Sequence, residues 1–345
     1  MKGNPFTITF GKEPNLLISR GEETDRIVSV FTSENPLTQS FLIEGIRGSG
    51  KTVLMTTVGK QLEEDDDWIV VNLNSSRDLL EDLARSLSNA VKGIPDLFKH
   101  GVNVSVAGFG FGIGASEEHP DSVSIIEDIL KALKKKGRKL LITIDEVIHD
   151  ENMRIFASEF QIFLRDDYPV FLIMTGLYEN LNSIQNDPQL TFLLRSPKIN
   201  LSPLSIPAIV REYEEALDID EETAKELAHA TKGYAFAFQA LGALYFENRD
   251  KLPVSKIINK LDGILDEFVY RKIWEGLTEI EKKFLLAMDD EHSFTAAEIC
   301  EKAGIKKSSI PKYKERLINI GIIHSPEYGK AELSLPRFEH VIRLY

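Results

Sequence analysis

Residues Gly45-Ile46-Arg47-Gly48-Ser49-Gly50-Lys51-Thr52 spell the pattern G-x-x-x-x-G-K-[ST] in full. A glycine-rich turn of this kind wraps backbone N–H groups around a triphosphate, and the helix that follows adds partial positive charge at the same place. Lys51 would reach the β- and γ-phosphates, and the Thr52 hydroxyl would hold Mg²⁺. Gly45, Arg47, Gly48, Ser49, Gly50, Lys51, Thr52 and Val53 are therefore the candidate contacts for ATP or ADP. A second constellation lies about 90 residues on, where Leu140-Leu141-Ile142-Thr143-Ile144 ends in Asp145-Glu146. An apolar strand that ends in two carboxylates delivers them to the C-terminal edge of a parallel sheet, where a phosphate loop also sits. Asp145 would ligate Mg²⁺ through water, and Glu146 would polarise the attacking water as general base.

Two further residues have two readings each. Thr175 closes the apolar run Val170–Met174, and its hydroxyl would either hold the attacking water or γ-phosphate or cap the segment that follows. Arg195, in Phe192-Leu193-Leu194-Arg195-Ser196-Pro197, is either an arginine finger reaching a neighbouring subunit's γ-phosphate or a surface arginine in an ordinary ion pair.

These residues need a scaffold, and the first 200 residues alternate strand-like and helical stretches as βαβ units do. The expected strands are 40–44, 68–73, 140–145, 170–175 and 198–201, rich in Ile, Val and Leu as strands covered on both faces should be. Apolar residues at helical spacing predict helices over 76–92, 122–136 and 152–165. The alternating, glycine-rich segment 102–114 predicts a β-hairpin without Lys or Arg, packed on its own domain or serving as a protein contact.

Beyond Pro203 the pattern is helical as far as Tyr270. The last segment carries two capping boxes, Thr278-x-x-Glu281 and Thr295-x-x-Glu298, then a helix over 308–320 and an alternating stretch over 321–335. Three helices followed by a hairpin of these lengths make a winged helix-turn-helix. The expected division is 1–201 for the α/β core, 202–271 for a helical lid and 272–345 for the winged helix.

Charge and composition narrow the function classes. A net charge of −13 argues against a protein that coats nucleic acid over its whole surface. From His292 to Tyr345, however, nine Lys and Arg oppose six Glu. Lys306, Lys307, Lys312, Lys314 and Arg316 lie at or within the third helix, where a recognition helix meets double-stranded DNA, and Lys330 lies at the wing. A winged helix serves equally as a protein-contact module, so a DNA-binding switch and a nucleotide-gated protein scaffold both stand. A small-molecule kinase is disfavoured, because no acceptor-substrate motif accompanies the loop. The single cysteine, Cys300, excludes a disulfide within the chain and fits a reducing compartment. The N-terminal stretch has no apolar signal region and no run is long enough to span a membrane, so the expectation is a cytoplasmic protein.

Phosphate loop, Asp-Glu strand end, Thr-ended strand, arginine before the fifth strand, helical lid and winged helix follow one another along nearly the whole chain. This order resembles the AAA+/STAND-type ATPases, in particular the archaeal-type ATPases related to the Orc1/Cdc6 initiators. The resemblance implies an α/β P-loop NTPase fold with parallel sheet order 5-1-4-3-2, nucleotide held between core and lid, and action as a switch or motor with possible self-assembly. Leu17-Ile18-Ser19-Arg20-Gly21-Glu22-Glu23 resembles the family's Gly-Arg-Glu box and so places Arg20 near adenine, although here Gly precedes Glu. The lid departs from the AAA+ pattern more clearly. Gly233-Tyr234-Ala235-Phe236 stands where Gly-x-Ala-Arg is usual, closer to the Gly-x-Pro lid of the STAND branch, and Lys232 is only a distant substitute for the arginine. Without that cation the expected hydrolysis is slow, which suits a switch.

Overall fold

A computed structural model describes residues 3–8, 14–92, 121–188 and 190–345. The segment 102–114, expected as a hairpin, lies outside the described residues. The chain divides into two compact units: a sheet unit of residues 20–44 and 51–200, and a C-terminal unit of residues 201–345 together with 1–19 and 45–50.

In the sheet unit, β1 (Ser40–Glu44), β2 (Trp68–Asn74), β3 (Lys139–Asp145), β4 (Val170–Gly176) and β5 (Lys198–Asn200) form one sheet in the order β2-β3-β4-β1-β5. Every pairing is parallel, and the order is the expected 5-1-4-3-2 read from the other edge. β1 and β4 are buried along their whole length, which explains the apolar runs Phe41–Ile43 and Val170–Met174 within them. The helices are α1 (Gly21–Thr32), α2 (Lys51–Glu63), α3 (Leu79–Lys92), α4 (Ser122–Lys135), α5 (Glu151–Arg165) and α6 (Tyr178–Gln185).

Strand alternation sends Leu42, Ile142 and Leu172 to one face, in a core with Leu83, Ile126, Leu130, Phe156 and Phe160 from α3, α4 and α5. Phe41 and Phe171 therefore face the other way, against Phe31 of α1 with ring centroids 5.4 and 4.9 Å distant. Each such buried side chain stabilises by ~1.5–3 kcal/mol, so both faces resist displacement of the strand ends. Asp121 and Asp150 cap α4 and α5 by accepting from the N–H groups of Ser124 (2.7 Å) and Met153 (2.8 Å).

The C-terminal unit begins with α7 (Ile206–Leu217), α8 (Glu221–Ala230), α9 (Ala235–Asn248) and α10 (Val254–Leu265). A π-helical turn over Asp266–Tyr270 leads into α11 (Arg271–Glu275). There follow α12 (Glu279–Leu286), β6 (Phe294–Thr295), α13 (Ala296–Ala303), α14 (Ile310–Asn319), β7 (Ile323–His324), β8 (Lys330–Leu333) and α15 (Phe338–Ile342). Both expected capping boxes are formed, at Thr278 with Glu281 and at Thr295 with Glu298.

The hairpin β7–β8 gains a third antiparallel strand, β6, giving the order β6-β8-β7. The first described residues pack in this unit. Phe6 lies 5.8 and 5.7 Å from the rings of Tyr213 and Phe238. Gln239 ties the same segment down by accepting from the Thr7 N–H at 3.0 Å and donating to the Leu16 carbonyl at 2.7 Å.

Candidate active site

Within the sheet unit, α2 opens on buried Lys51 and on Thr52, and β3 ends at half-buried Asp145 followed by exposed Glu146. The Thr52 hydroxyl donates to Asp145 Oδ2 at 2.7 Å, so the two residues expected at the metal are adjacent. Thr175, at the end of the neighbouring β4, is fully buried. Its hydroxyl donates to Asp145 Oδ1 and accepts from the Glu146 N–H at 3.1 Å.

Of the two readings of Thr175, the cap is not formed. Its hydroxyl is turned to the adjacent strand end, and α6 starts after Leu177 without any side-chain cap. Parallel pairing of β3 with β4 brings Ile144 beside Met174, so the residues one step further along meet at the sheet edge.

Glu146 has φ +50°, a left-handed conformation that costs a residue with a Cβ ~1–2 kcal/mol. Three bonds hold it there: Thr175 Oγ1 and Asp145 Oδ1 both accept from its N–H, each at 3.1 Å, and the next N–H, of Val147, donates to the Thr175 carbonyl at 2.9 Å. Strain that the surroundings over-determine is a feature of sites where a side chain must be aimed.

The oxygen donors of Thr52 and Asp145 suit a hard divalent cation. Among the described residues no group of three or more His, Cys, Asp or Glu side chains could hold a metal ion. The residues therefore fit Mg²⁺ bound mainly through phosphate and water, and not in an all-protein cage.

Gly45–Gly50 groups with the C-terminal unit. The Ser49 N–H donates to the Ile46 carbonyl at 3.2 Å, and Gly48, third residue of this turn, has φ +76°, the signature of a type II turn. Gly50 also has positive φ, +96°.

The remaining candidates are less concentrated. Val53 continues α2 and is half-buried. Arg20 precedes α1, where burial pulls its guanidinium below the ordinary value against an opposing contact with Glu23 at 3.6 Å. Arg195 is exposed at the end of a 3₁₀ turn and makes no ion pair among the described residues.

In the C-terminal unit Lys306, Lys307 and Lys312 are exposed. Lys314 instead donates to the Lys330 carbonyl at 2.6 Å, and Arg316 pairs with buried Glu281, so neither is displayed as expected. Lys314 lies ~200° round the helix from Lys312 and so cannot share its exposed face. Lys330 itself pairs with Glu327. Lys232 donates to Asp290 Oδ1 (3.1 Å) and to the carbonyls of Asp290 (3.4 Å) and Leu333 (3.3 Å).

One polar cluster gave no sequence signal as a unit. Asp187, buried, accepts from Arg154 Nε at 2.8 Å and bonds His149 Nε2 at 2.8 Å, bracing the segment after Glu146.

Residues 37–185 match the family model described as an AAA domain, and residues 267–342 match a domain of unknown function, DUF8462. The fold is similar to that of the Walker-type ATPase PABY2304 of Pyrococcus abyssi, at 14% identity and a TM-score of 0.67 over 95% of this chain and 96% of that one. It is similar also to the ORC2 protein of Aeropyrum pernix, solved as ADPNP-ADP complexes, at 15% identity and a TM-score of 0.62 over 98% and 96%. A third is CDC6P from Pyrobaculum aerophilum, at 15% identity and a TM-score of 0.52 over 98% and 96%. No curated protein matches the sequence. No described helix is long and apolar enough to cross a membrane. Residues 37–185 thus match an AAA domain, and the chain as a whole shares its fold, an α/β core with a five-stranded parallel sheet, with these P-loop ATPase structures.

Proposed function

We propose that the chain is an ATP-binding, slowly hydrolysing switch whose output is its C-terminal winged helix. The observation that carries this reading is the joining of Thr52, Asp145, Thr175 and the left-handed Glu146 by hydrogen bonds at one sheet edge. Gly45–Gly50 supplies inward N–H groups to the phosphates, Lys51 a cation at the β- and γ-phosphates, and Arg20 a contact near adenine. Thr52 and Asp145 would hold Mg²⁺, which would supply positive charge to the phosphate oxygens. Glu146 takes a proton from the water that forms the new bond to the γ-phosphorus, and the bond to the β–γ bridging oxygen breaks to leave ADP and phosphate. Thr175 acts one step back, fixing Asp145 and the backbone of Glu146.

Nucleotide exchange then shifts the helical lid, residues 202–271, and with it the winged helix, residues 272–345, between two arrangements. Lys306, Lys307 and Lys312 are the basic side chains left for double-stranded DNA. Each neutralised phosphate contributes a salt slope near −0.9, so this set supports weak, salt-sensitive DNA binding. The engagement of Lys314 and Arg316 inside the unit favours a second reading, in which the winged helix binds protein only. Exposed Arg195 fits a contact to a neighbouring subunit's γ-phosphate.

One experiment separates the two outputs: fluorescence titration of random duplex DNA at low salt with ADP and with a non-hydrolysable ATP analogue. Binding that depends on nucleotide and weakens in Lys306→Ala/Lys307→Ala/Lys312→Ala supports DNA. Absence of binding in every state leaves the protein scaffold. Sizing the same samples tests Arg195, since a monomer in both nucleotide states removes its role between subunits.

A further inference from the structure

Gly48 occupies one of the variable positions of the G-x-x-x-x-G-K-[ST] pattern, so the motif itself does not demand glycine there. The C-terminal unit does. A Cβ at Gly48 would run into the Tyr234 hydroxyl and lie 3.0 Å from Phe236 Cβ, at a φ of +76° that side chains disfavour. Two consecutive loop carbonyls are held from this side. The Tyr234 hydroxyl donates to the Arg47 carbonyl, and the Phe236 N–H donates to the Gly48 carbonyl at 3.1 Å. The second bond also satisfies one of the unpaired N–H groups in the first turn of α9.

The approach of Tyr234 is itself over-determined. The Tyr234 N–H donates to the Thr231 carbonyl at 2.8 Å across Lys232 and Gly233, both with positive φ (+47° and +74°). Gly233 tolerates no side chain, since a Cβ there would lie 2.5 Å from the Leu204 carbonyl. Lys232 anchors the turn through Asp290 and Leu333. Tyr234 is buried, and burial raises its phenol well above the ordinary range, so it stays a neutral donor at every working pH.

In a planar trans peptide the C=O and the following N–H point in opposite directions. The chain has no cis peptide among the described residues. Holding the Arg47 carbonyl therefore fixes where the Gly48 N–H points. The central peptide of the turn Ile46–Ser49 is the one whose reversal interconverts type I and type II geometry. In the flipped form a carbonyl oxygen would stand where the N–H now stands, presenting negative charge to an anion.

We propose that Tyr234 is a positioning residue for phosphate binding: its hydroxyl locks the Arg47–Gly48 peptide so that the Gly48 N–H faces the anion site of the loop. The proposal rests on the reading that Gly45–Thr52 binds nucleotide phosphate. It gives the segment 232–236 a task that does not need an arginine at Phe236.

The test uses the full-length protein, wild type and Tyr234→Phe, with a fluorescent ADP as probe and unlabelled pyrophosphate as competitor in the presence of Mg²⁺. Tyr234→Phe removes one neutral hydrogen bond and should weaken ADP and pyrophosphate by the same factor, about fivefold to tenfold, at a temperature well below the unfolding midpoint. Gly48→Ala strains the same peptide from the loop side and should weaken both ligands at least as much, and it carries the test if Tyr234→Phe does not fold. Wild-type protein that binds no ADP contradicts the nucleotide reading itself. Wild-type binding with unchanged affinity in Tyr234→Phe overturns the positioning role alone. Weakened ADP with unchanged pyrophosphate overturns it too, because the effect would then lie at the base or sugar.

Discussion

Replacing Thr175 by Val tests the catalytic geometry with a change of a single oxygen. Val has nearly the shape of Thr but lacks the hydroxyl, so in this fully buried site the change is the loss of its hydrogen bonds. What is lost is the bond to Asp145 Oδ1 and the acceptor for the Glu146 N–H at 3.1 Å. A hydrogen bond to a charged carboxylate contributes ~1.5–3 kcal/mol. That matches or exceeds the ~1–2 kcal/mol that the left-handed backbone at Glu146 costs. Without Thr175 Oγ1 one of the three bonds that hold Glu146 at φ +50° is gone and Asp145 Oδ1, the other acceptor for its N–H, is no longer anchored, so Glu146 relaxes out of its aim. If the lost energy falls on the transition state, kcat drops by about 10- to 150-fold. The KM for ATP changes by less than about threefold, because Lys51 and the loop are untouched. Thr175→Ser keeps the hydroxyl and should stay within about threefold of wild type. The assay is steady-state phosphate release at saturating Mg-ATP. Thr175→Val with wild-type kcat would refute the reasoning. A raised KM at unchanged kcat would place the hydroxyl on bound nucleotide instead.

Three further outcomes are expected. Glu146→Gln should lower hydrolysis by about 10²–10⁴-fold while ATP affinity persists, measured by phosphate release alongside fluorescence titration. Glu281 is buried, which pushes its carboxyl up, but Arg316 and the Thr278 N–H (2.8 Å) and hydroxyl (2.7 Å) outweigh burial and hold it below the ordinary value of 4.5. Its stabilisation is therefore complete above about pH 4.5 and fades as pH falls through the depressed value. Glu281→Gln should lower the thermal midpoint by about 6–12 °C at neutral pH, with the gap closing in acid. Gly242→Ala would drive a methyl group into the Phe6 ring, costing about 1–3 kcal/mol and exposing the N-terminal segment to limited proteolysis.

Much of the sheet unit was legible because its signals are local. Apolar runs bounded by turns gave the five strands to within a residue or so, and the resemblance gave their order. Asp145 and Glu146 announced themselves by standing at a strand end. The capping boxes at Thr278 and Thr295 were readable because a box is a pattern over four residues. β6 was missed because Phe294–Thr295 is too short for an alternation, and Thr295 already serves as the cap of α13.

What the sequence hid was side-chain direction and long-range pairing. Thr175 at a strand end is compatible with a phosphate contact, and only the register of β3 with β4 turns it to Asp145 and Glu146. The backbone strain at Glu146 leaves no trace in residue type. Lys314 and Arg316 look like surface cations until the partners Lys330 and Glu281, 16 and 35 residues away, are in place. Phe6 and Gly242 meet across most of the chain, so neither marks the other.

The central claim, that Gly45–Thr52 binds nucleotide phosphate, is tested most directly by titrating fluorescent ATP with Mg²⁺ into wild type and Lys51→Ala. Saturable binding by the wild type is expected. Lys51→Ala should lose about 10- to 150-fold in affinity, the worth of one charge-assisted bond, with its unfolding midpoint preserved. Equal affinity in the two proteins, or no binding to the folded wild type, would contradict the account.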